Sequence, residues 1–163
     1  MNTLAAKLVK EASAKGVMIA TAESCTGGLV SAAITDIAGS SAVFERGFVT
    51  YSNNSKAELL GVPSSLIEQH GAVSAEVACA MAEGAIKHSR ATLSVSITGI
   101  AGPGGGSAEK PVGIVHFATA VKGSDIIHFE RRFGDLSREA IRNAAVDVAL
   151  QALIDRVNNT PAH

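Results

Sequence analysis

A serine stands where it could act as a nucleophile, in the segment Thr-Ala-Glu-Ser-Cys-Thr-Gly-Gly at residues 21–28. The segment lies between a predicted buried strand and a predicted helix, beside the crevice where open α/β sheets bind ligands. At such a helix start, the backbone N–H groups of Cys25, Thr26 and Gly27 point outward and form an anion site. Ser24 is therefore a candidate nucleophile, although the Gly-x-Ser-x-Gly pattern of hydrolases is not present. The alternative is that Ser24 only caps the helix.

A lysine follows the end of the second predicted strand, in the segment Tyr-Ser-Asn-Asn-Ser-Lys at residues 51–56. A serine hydroxyl needs a neighbour that takes its proton, and a desolvated lysine can do so. Lys56 is thus a candidate general base, and the alternative is a solvated helix lysine. Cys25 is a rival nucleophile, because the same helix end can acidify a thiol. Its position next to Ser24 points it toward the core instead.

A third candidate segment is rich in glycine and follows another predicted buried strand. It reads Thr-Gly-Ile-Ala-Gly-Pro-Gly-Gly-Gly at residues 98–106, with Lys-Pro-Val-Gly at 110–113. Glycine is used where the backbone must approach something closely, as in a loop that contacts phosphate. The segment matches neither G-x-G-x-x-G nor the P-loop pattern, and a mobile surface turn is the alternative.

Two weaker patterns involve histidines and arginines. His116 and His128 lie on two predicted hairpin strands, but they have no third ligand nearby in the sequence, so we expect no metal site. Positive charge gathers before and within the last predicted helix, at Arg131, Arg132, Arg138 and Arg142. These arginines indicate either anion recognition or a solvated face.

The hydrophobic patterns predict the elements that must position these residues. Helices are predicted at residues 3–15, 25–36, 53–60, 74–88 and 137–157, and strands at 17–22, 44–51, 92–97, 112–121 and 126–133. Strands separated by helices favour parallel pairing, whereas the hairpin around residues 122–124 requires an antiparallel neighbour. The predicted fold class is α/β, a three-layer α/β/α sandwich on a mixed, mostly parallel sheet of about five strands.

Length and composition restrict the classes of protein to which this chain can belong. The 163 residues favour one domain over 1–163, and 14 basic against 15 acidic residues argue against a nucleic-acid partner. Aromatic residues make up only 4% of the chain, which leaves few platforms for stacking bases. No apolar run approaches about 18 residues, so we expect no membrane partner. We expect a soluble, cytoplasmic protein and, from the statistics of oligomer symmetry, a homo-oligomer, most simply a homodimer.

Taken together, these segments resemble the C-terminal domain of the CinA (competence-damage-inducible) family. The resemblance extends along nearly the whole chain. It is carried by residues 22–29, 39–41, 47–53, 56, 60–62, 71–74, 98–103, 105–106 and 110–113.

The resemblance implies a nicotinamide mononucleotide amidohydrolase, which releases ammonia and returns nicotinate mononucleotide to NAD synthesis. It implies that Ser24 attacks the amide carbon while Lys56 takes and later returns the proton, with no cofactor. Tyr51 or Asn53 would orient the carboxamide, and the glycine segment with an arginine would hold the phosphate. We expect catalytic roles for Ser24, Lys56 and Tyr51. The residues expected at the substrate are Glu23, Cys25, Thr26, Gly27, Gly28, Asn53, Thr98, Gly99, Gly102, Gly105, Arg138 and Arg142.

The resemblance also leaves alternatives to the amidohydrolase activity. A module that binds a pyridine nucleotide without hydrolysing it would share the fold. The DNA-related family name suggests a third function, which the net charge of −1 opposes. Many relatives carry an upstream domain similar to molybdopterin-binding proteins; we expect it to be absent here, so its metal chemistry is not carried over. One departure is the pair Leu136-Ser137, which lengthens the loop before Arg138 and favours Arg142 as the phosphate ligand.

Overall fold

The computed structural model describes residues 2–159. The helices are α1 (Thr3–Lys15), α2 (Leu29–Thr35), α3 (Asn53–Leu60), α4 (Ser64–His70), α5 (Ala75–Lys87) and α6 (Arg138–Asn158). The strands are β1 (Ile19–Glu23), β2 (Phe44–Val49), β3 (Leu93–Gly99), β4 (Ile114–Val121) and β5 (Ile126–Arg132). A short 3₁₀ turn, Ser40–Ala42, precedes β2.

The five strands form one sheet in the order β2-β1-β3-β4-β5. The strands β2, β1 and β3 are mutually parallel, and β4 is antiparallel to both β3 and β5. Four of the five strands therefore point the same way, and β4 alone is reversed. The predicted mixed sheet of about five strands is confirmed, with the hairpin supplying both antiparallel pairings.

Helices cover both faces of the sheet, because successive side chains of a strand point to opposite faces. On one face, α1, α2 and α6 pack against the large apolar side chains of Ile19, Val95 and Phe117. On the other face, α3, α4 and α5 pack against the small residues Ala20 and Ala22, and α5 also packs against β4. The three-layer arrangement is confirmed.

Small residues let α5 approach the sheet closely. The hydroxyls of Ser94 and Ser96 on β3 donate to the helix carbonyls of Ala82 and Ala78, at 2.7 and 2.6 Å. On its α3 side, α5 carries Gly84, and any Cβ there would collide with the backbone of α3 at its end. This close packing fixes α3, the helix that carries Lys56.

Two differences from the predicted elements have local causes. Helix α2 begins at Leu29 instead of residue 25, because Gly27 and Gly28 have φ of 57° and 107° and make residues 24–28 a turn. Helix α4 was not predicted at all. Pro63 indicates a stop after α3, but it also stands at the N-cap of a new seven-residue helix.

Candidate active site

The predicted residues meet at a cavity beyond the carboxyl ends of β1 and β3. The cavity measures about 290 Å³. Its lining consists of Ser24, Cys25, Tyr51, Lys56, Ala72, Val73, Thr98, Gly99, Ile100, Ala101, Gly102, Gly104, Gly105 and Arg138. Three segments that lie far apart in the sequence thus share one edge of the sheet, as the parallel strands require.

The central contact joins a serine hydroxyl to a buried lysine. The Lys56 ammonium donates to Ser24 Oγ at 3.0 Å and to the carbonyl oxygen of Thr50 at 2.8 Å. A longer contact of 3.4 Å reaches the carbonyl oxygen of Tyr51. Only 1% of Lys56 is exposed, and this burial lowers its pKa to about 8. A lysine with this pKa is available as a base near neutral pH.

The geometry of α3 directs Lys56 inward. The hydroxyl of Ser52 accepts from the N–H of Ser55 and caps the helix start, and Gly61 ends the helix in the left-handed region. Lys56 lies within the first turns of this eight-residue helix, on the side that faces the sheet. The solvated-lysine alternative is therefore wrong for Lys56.

A buried carboxylate organises the turn that carries Ser24. Glu23 is fully buried and accepts from the Thr26 hydroxyl at 2.6 Å and from both the N–H and the hydroxyl of Ser31 at 3.0 and 2.8 Å. It also accepts from the N–H groups of Gly28 and Val30. Both carboxylate oxygens thus accept from protein donors. Glu23 therefore stabilises the turn and does not line the cavity. Sequence reasoning placed it at the substrate.

An arginine from α6 holds the same turn from another side. Arg142 donates from Nε to the carbonyl oxygen of Cys25 at 3.0 Å and from Nη2 to that of Thr26 at 3.3 Å. Because a trans peptide directs its C=O and N–H oppositely, the N–H of Thr26 points away from Arg142. In the described part of the chain, no oxygen accepts from the N–H of Cys25 or Thr26. The Gly27 N–H, by contrast, donates to the carbonyl oxygen of Ser24 at 3.0 Å.

The neighbouring thiol is poorly suited to attack. Burial raises the pKa of Cys25 to about 11, although the backbone N–H of Cys25 and, to a smaller extent, the Arg142 guanidinium oppose this shift. A thiolate is the reactive form of cysteine, and at this pKa it is scarce near neutral pH. Burial thus disfavours Cys25 as the nucleophile, and the catalytic role of Ser24 stays a prediction.

The rim of the cavity is organised by Arg138. Its Nη1 donates to the carbonyl oxygen of Gly102 at 2.7 Å, and its Nη2 donates to the Tyr51 hydroxyl at 3.1 Å. The Tyr51 side chain is 61% exposed. Farther along the glycine segment, the Lys110 ammonium donates to the carbonyl oxygen of His70 at 2.7 Å. The segment is thus tied to α6 and to the end of α4, contacts that sequence reasoning missed.

The structure divides the predicted site residues into two groups. Those that line the cavity are Ser24, Cys25, Tyr51, Lys56, Thr98, Gly99, Gly102, Gly105 and Arg138. Those outside its lining are Glu23, Thr26, Gly27, Gly28, Asn53 and Arg142. Their binding roles stay predictions. Packing alone explains why glycine stands at positions 99 and 102. A Cβ at Gly99 would lie 2.7 Å from Val115, and a Cβ at Gly102 would lie 2.5 Å from Val112.

The histidine pair lies on the sheet face that α5 covers. His116 Nδ1 and His128 Nε2 are 2.9 Å apart, and Glu130 approaches His116 Nε2 at 3.7 Å. Burial lowers the pKa of His116, and the neighbouring His128 adds to this effect. Within residues 2–159, no three histidine, cysteine or carboxylate side chains are arranged to hold a metal ion.

The fold and the cavity define a class of protein: three-layer α/β/α proteins with a buried serine–lysine pair at the carboxyl edge of the sheet. This chain belongs to the CinA family, because residues 1–157 match the CinA C-terminal domain. It is 57% identical over 141 residues to the "Nicotinamide-nucleotide amidohydrolase PncC" of Escherichia coli K12, covering 86% of this chain and 84% of that protein.

Two further relatives extend the comparison. The protein of the same name from Enterobacter agglomerans is 51% identical over 155 residues, covering 94% of this chain and 93% of that protein. The crystal structure of competence/damage inducible protein CihA from Agrobacterium tumefaciens superposes with a TM-score of 0.92 at 52% identity. That match covers 95% of this chain and 93% of the other. Among residues 2–159, no helix is both long and apolar enough to cross a membrane.

Proposed function

We propose that this chain is a nicotinamide-nucleotide amidohydrolase, which converts nicotinamide mononucleotide and water to nicotinate mononucleotide and ammonia. The observation that carries the chemistry is the 3.0 Å contact between Lys56 Nζ and Ser24 Oγ in a buried setting. The substrate comes from the relatives of the same length, which are named for this activity. The product would re-enter NAD synthesis.

The proton transfers follow from the hydrogen bonds of Lys56. In its neutral form, the amine directs N–H groups at the carbonyls of Thr50 and Tyr51. Its lone pair is then free to accept the Ser24 proton as the serine oxygen attacks the carboxamide carbon. The resulting ammonium returns that proton to the departing nitrogen, which leaves as ammonia and gives an acyl-serine ester. Lys56 next takes a proton from a water as the water oxygen attacks the ester carbon, and it delivers that proton to the departing Ser24 oxygen, which restores both side chains.

The turn at residues 24–28 supplies the stabilisation of negative charge. The N–H groups of Cys25 and Thr26 have no oxygen acceptor within the described residues, and these two residues directly follow the attacking Ser24 in the chain. We assign them to the oxyanion of the tetrahedral intermediate, where one donor contributes about 10²–10³-fold in rate. The turn itself provides these donors, because α2 starts only at Leu29.

Arg138 is the better-placed phosphate ligand. It lines the cavity and donates to Gly102 and Tyr51 there, whereas Arg142 lies outside the lining and donates to two carbonyl oxygens of the turn. A guanidinium that lines the cavity beside a glycine-rich segment suits a phosphate monoester. We therefore assign the 5′-phosphate to Arg138 and the backbone of the glycine segment, which revises the preference for Arg142 drawn from the sequence.

The proposal is tested by incubating the purified chain with nicotinamide mononucleotide and measuring ammonia and nicotinate mononucleotide. We expect both products in equal amounts. Tight binding without either product would support the binding-module alternative and contradict the proposal. The cytoplasmic location expected from the sequence stays a prediction.

A further inference from the structure

Part of the cavity lining comes from the residues that connect α4 to α5. This connection, residues 70–74, is here called the wall segment, and Ala72 and Val73 line the cavity from it. Gly71 has a φ of 80° and turns the chain away from the end of α4. The wall segment thus shares the cavity with the glycine segment, to which we assign the 5′-phosphate.

Three successive carbonyl oxygens hold the wall segment in place. The first, that of His70, accepts from the Lys110 ammonium at 2.7 Å. The next two accept from the hydroxyls of Ser74 and Thr98, each at 2.8 Å. Ser74 caps α5 and Thr98 lies on β3, so both of these hydroxyls belong to regular elements. The contact from Lys110 is different, because it comes from the loop between β3 and β4.

The loop between β3 and β4, residues 100–113, is closed at its base by backbone hydrogen bonds. The N–H of Ile100 donates to the carbonyl oxygen of Ile114 at 2.9 Å, and its own carbonyl oxygen accepts from the N–H of Gly113 at 2.8 Å. Farther out, four of the six residues at 101–106 are glycines. Glycine has many accessible backbone conformations, so this stretch depends on other contacts to keep one of them.

Two cations provide such contacts and tie the loop to two different helices. Arg138 of α6 donates to the carbonyl oxygen of Gly102 at 2.7 Å. Lys110 belongs to the loop itself and reaches the end of α4. A tight turn orients it, since the N–H of Ser107 donates to the Lys110 carbonyl at 2.8 Å and the Lys110 N–H donates to the Ser107 hydroxyl at 3.0 Å. The ammonium lies against the wall segment, because a Cβ at Gly71 would be 2.9 Å from Nζ.

We propose that Lys110 is a positioning residue for nucleotide binding. Its ammonium holds the loop against the wall segment, so the backbone that receives the phosphate is ordered before the nucleotide binds. Lys110 is not part of the cavity lining, and it therefore acts through this backbone instead of touching the substrate. A loop that becomes ordered only on binding lowers the affinity, and a residue that orders it beforehand removes this cost. The inference rests on the proposed function, because it concerns the backbone assigned to the 5′-phosphate.

A purely structural role for Lys110 would have a different signature. Its ammonium contacts the last residue of α4, His70, and a cation at this end also stabilises a helix. If helix stabilisation were its whole role, loss of the ammonium would lower the free energy of unfolding and leave the affinity for the nucleotide unchanged. Ordering of the loop instead affects the affinity, and it affects only ligands that carry the phosphate.

Calorimetric titration with nicotinamide mononucleotide in a Ser24→Ala background measures this affinity without turnover. Lys110→Met removes the ammonium and keeps an unbranched side chain, and Lys122→Met makes the same change in the exposed turn between β4 and β5. We expect Lys110→Met to raise the dissociation constant about 10-fold, as for a loop that is ordered in about a tenth of the molecules. Lys122→Met should leave the constant unchanged. Nicotinamide riboside lacks the phosphate and should bind both lysine variants equally.

Hydrogen exchange and kinetics complete the test. We expect amides of residues 70–74 and 101–106 to exchange faster in Lys110→Met and not in Lys122→Met. With Ser24 intact, Lys110→Met should raise KM for the mononucleotide and leave kcat unchanged. Equal affinity of the two lysine variants for the mononucleotide, or the same loss of affinity for the riboside, would overturn the proposal. Failure of the proposed function is distinguishable, because it is the absence of nicotinate mononucleotide when the unmodified chain is incubated with the substrate.

Discussion

Arg142 on α6 donates from Nε to the carbonyl oxygen of Cys25 at 3.0 Å, although the two residues are 117 positions apart in the chain. The last helix thus fixes the peptide that follows the candidate nucleophile. Glu23 holds the same turn through five hydrogen bonds from protein donors. Two charged residues that do not line the cavity therefore determine where Ser24 and its neighbouring N–H groups point.

Arg142→Gln should lower kcat much more than it raises KM. The turn would lose two charge-assisted contacts, and a displacement of about 1 Å near reacting groups costs on the order of 10²-fold in rate. Steady-state kinetics with nicotinamide mononucleotide measures both constants. If KM rose while kcat stayed constant, Arg142 would be a substrate ligand, as the sequence suggested.

Arg138→Gln should show the opposite kinetics. If Arg138 holds the phosphate, its loss removes a charge-assisted hydrogen bond of roughly 1.5–3 kcal/mol, which corresponds to about 10–150-fold in affinity. Nicotinamide riboside lacks the phosphate, so its turnover should hardly change in this variant. Equal losses for riboside and mononucleotide would exclude a phosphate contact at Arg138.

The activity should depend on pH through Lys56. Burial lowers its pKa to about 8, and only the neutral amine can accept the serine proton. The value of kcat/KM should therefore rise with pH up to about 8 and then level off, because this parameter reports the free enzyme. Lys56→Arg should be inactive throughout, since a guanidinium remains protonated. A pH-independent rate between pH 6 and pH 9 would rule out Lys56 as the base.

Glu23→Gln should weaken the fold and the activity together. An amide has one acceptor oxygen, so its NH2 group replaces either the oxygen that accepts from Gly28 and Val30 or the oxygen that accepts from Ser31. Leaving buried donors unpaired costs about 1–3 kcal/mol, which chemical denaturation can measure. The exposed Glu68→Gln is the matched control and should change neither property. An unchanged free energy of unfolding in Glu23→Gln would contradict the role assigned to this carboxylate.

The sequence predicts the location of a site residue where that location depends only on the residue type and on its position at the end of a strand. Ser24 and Lys56 follow the ends of predicted parallel strands, so their meeting at one edge was predictable. The start of α2 was not, because it depends on the positive φ of Gly27 and Gly28 and on the hydrogen bonds that the buried Glu23 accepts from this turn. The contact of Arg142 with Cys25 depends on how α6 packs on the sheet, and no local pattern encodes it. Sequence reasoning therefore placed both Glu23 and Arg142 at the substrate.

The most direct test of the serine mechanism compares Ser24→Ala with Cys25→Ser, two changes at adjacent positions of the same turn. Each removes one candidate nucleophile, and release of nicotinate mononucleotide is the measurement, with binding of nicotinamide mononucleotide as the control for folding. We expect Ser24→Ala to bind the mononucleotide and release no product, while Cys25→Ser retains most of its activity. Product release by Ser24→Ala within a few-fold of the unmodified chain, or inactivation by Cys25→Ser alone, would contradict the mechanism.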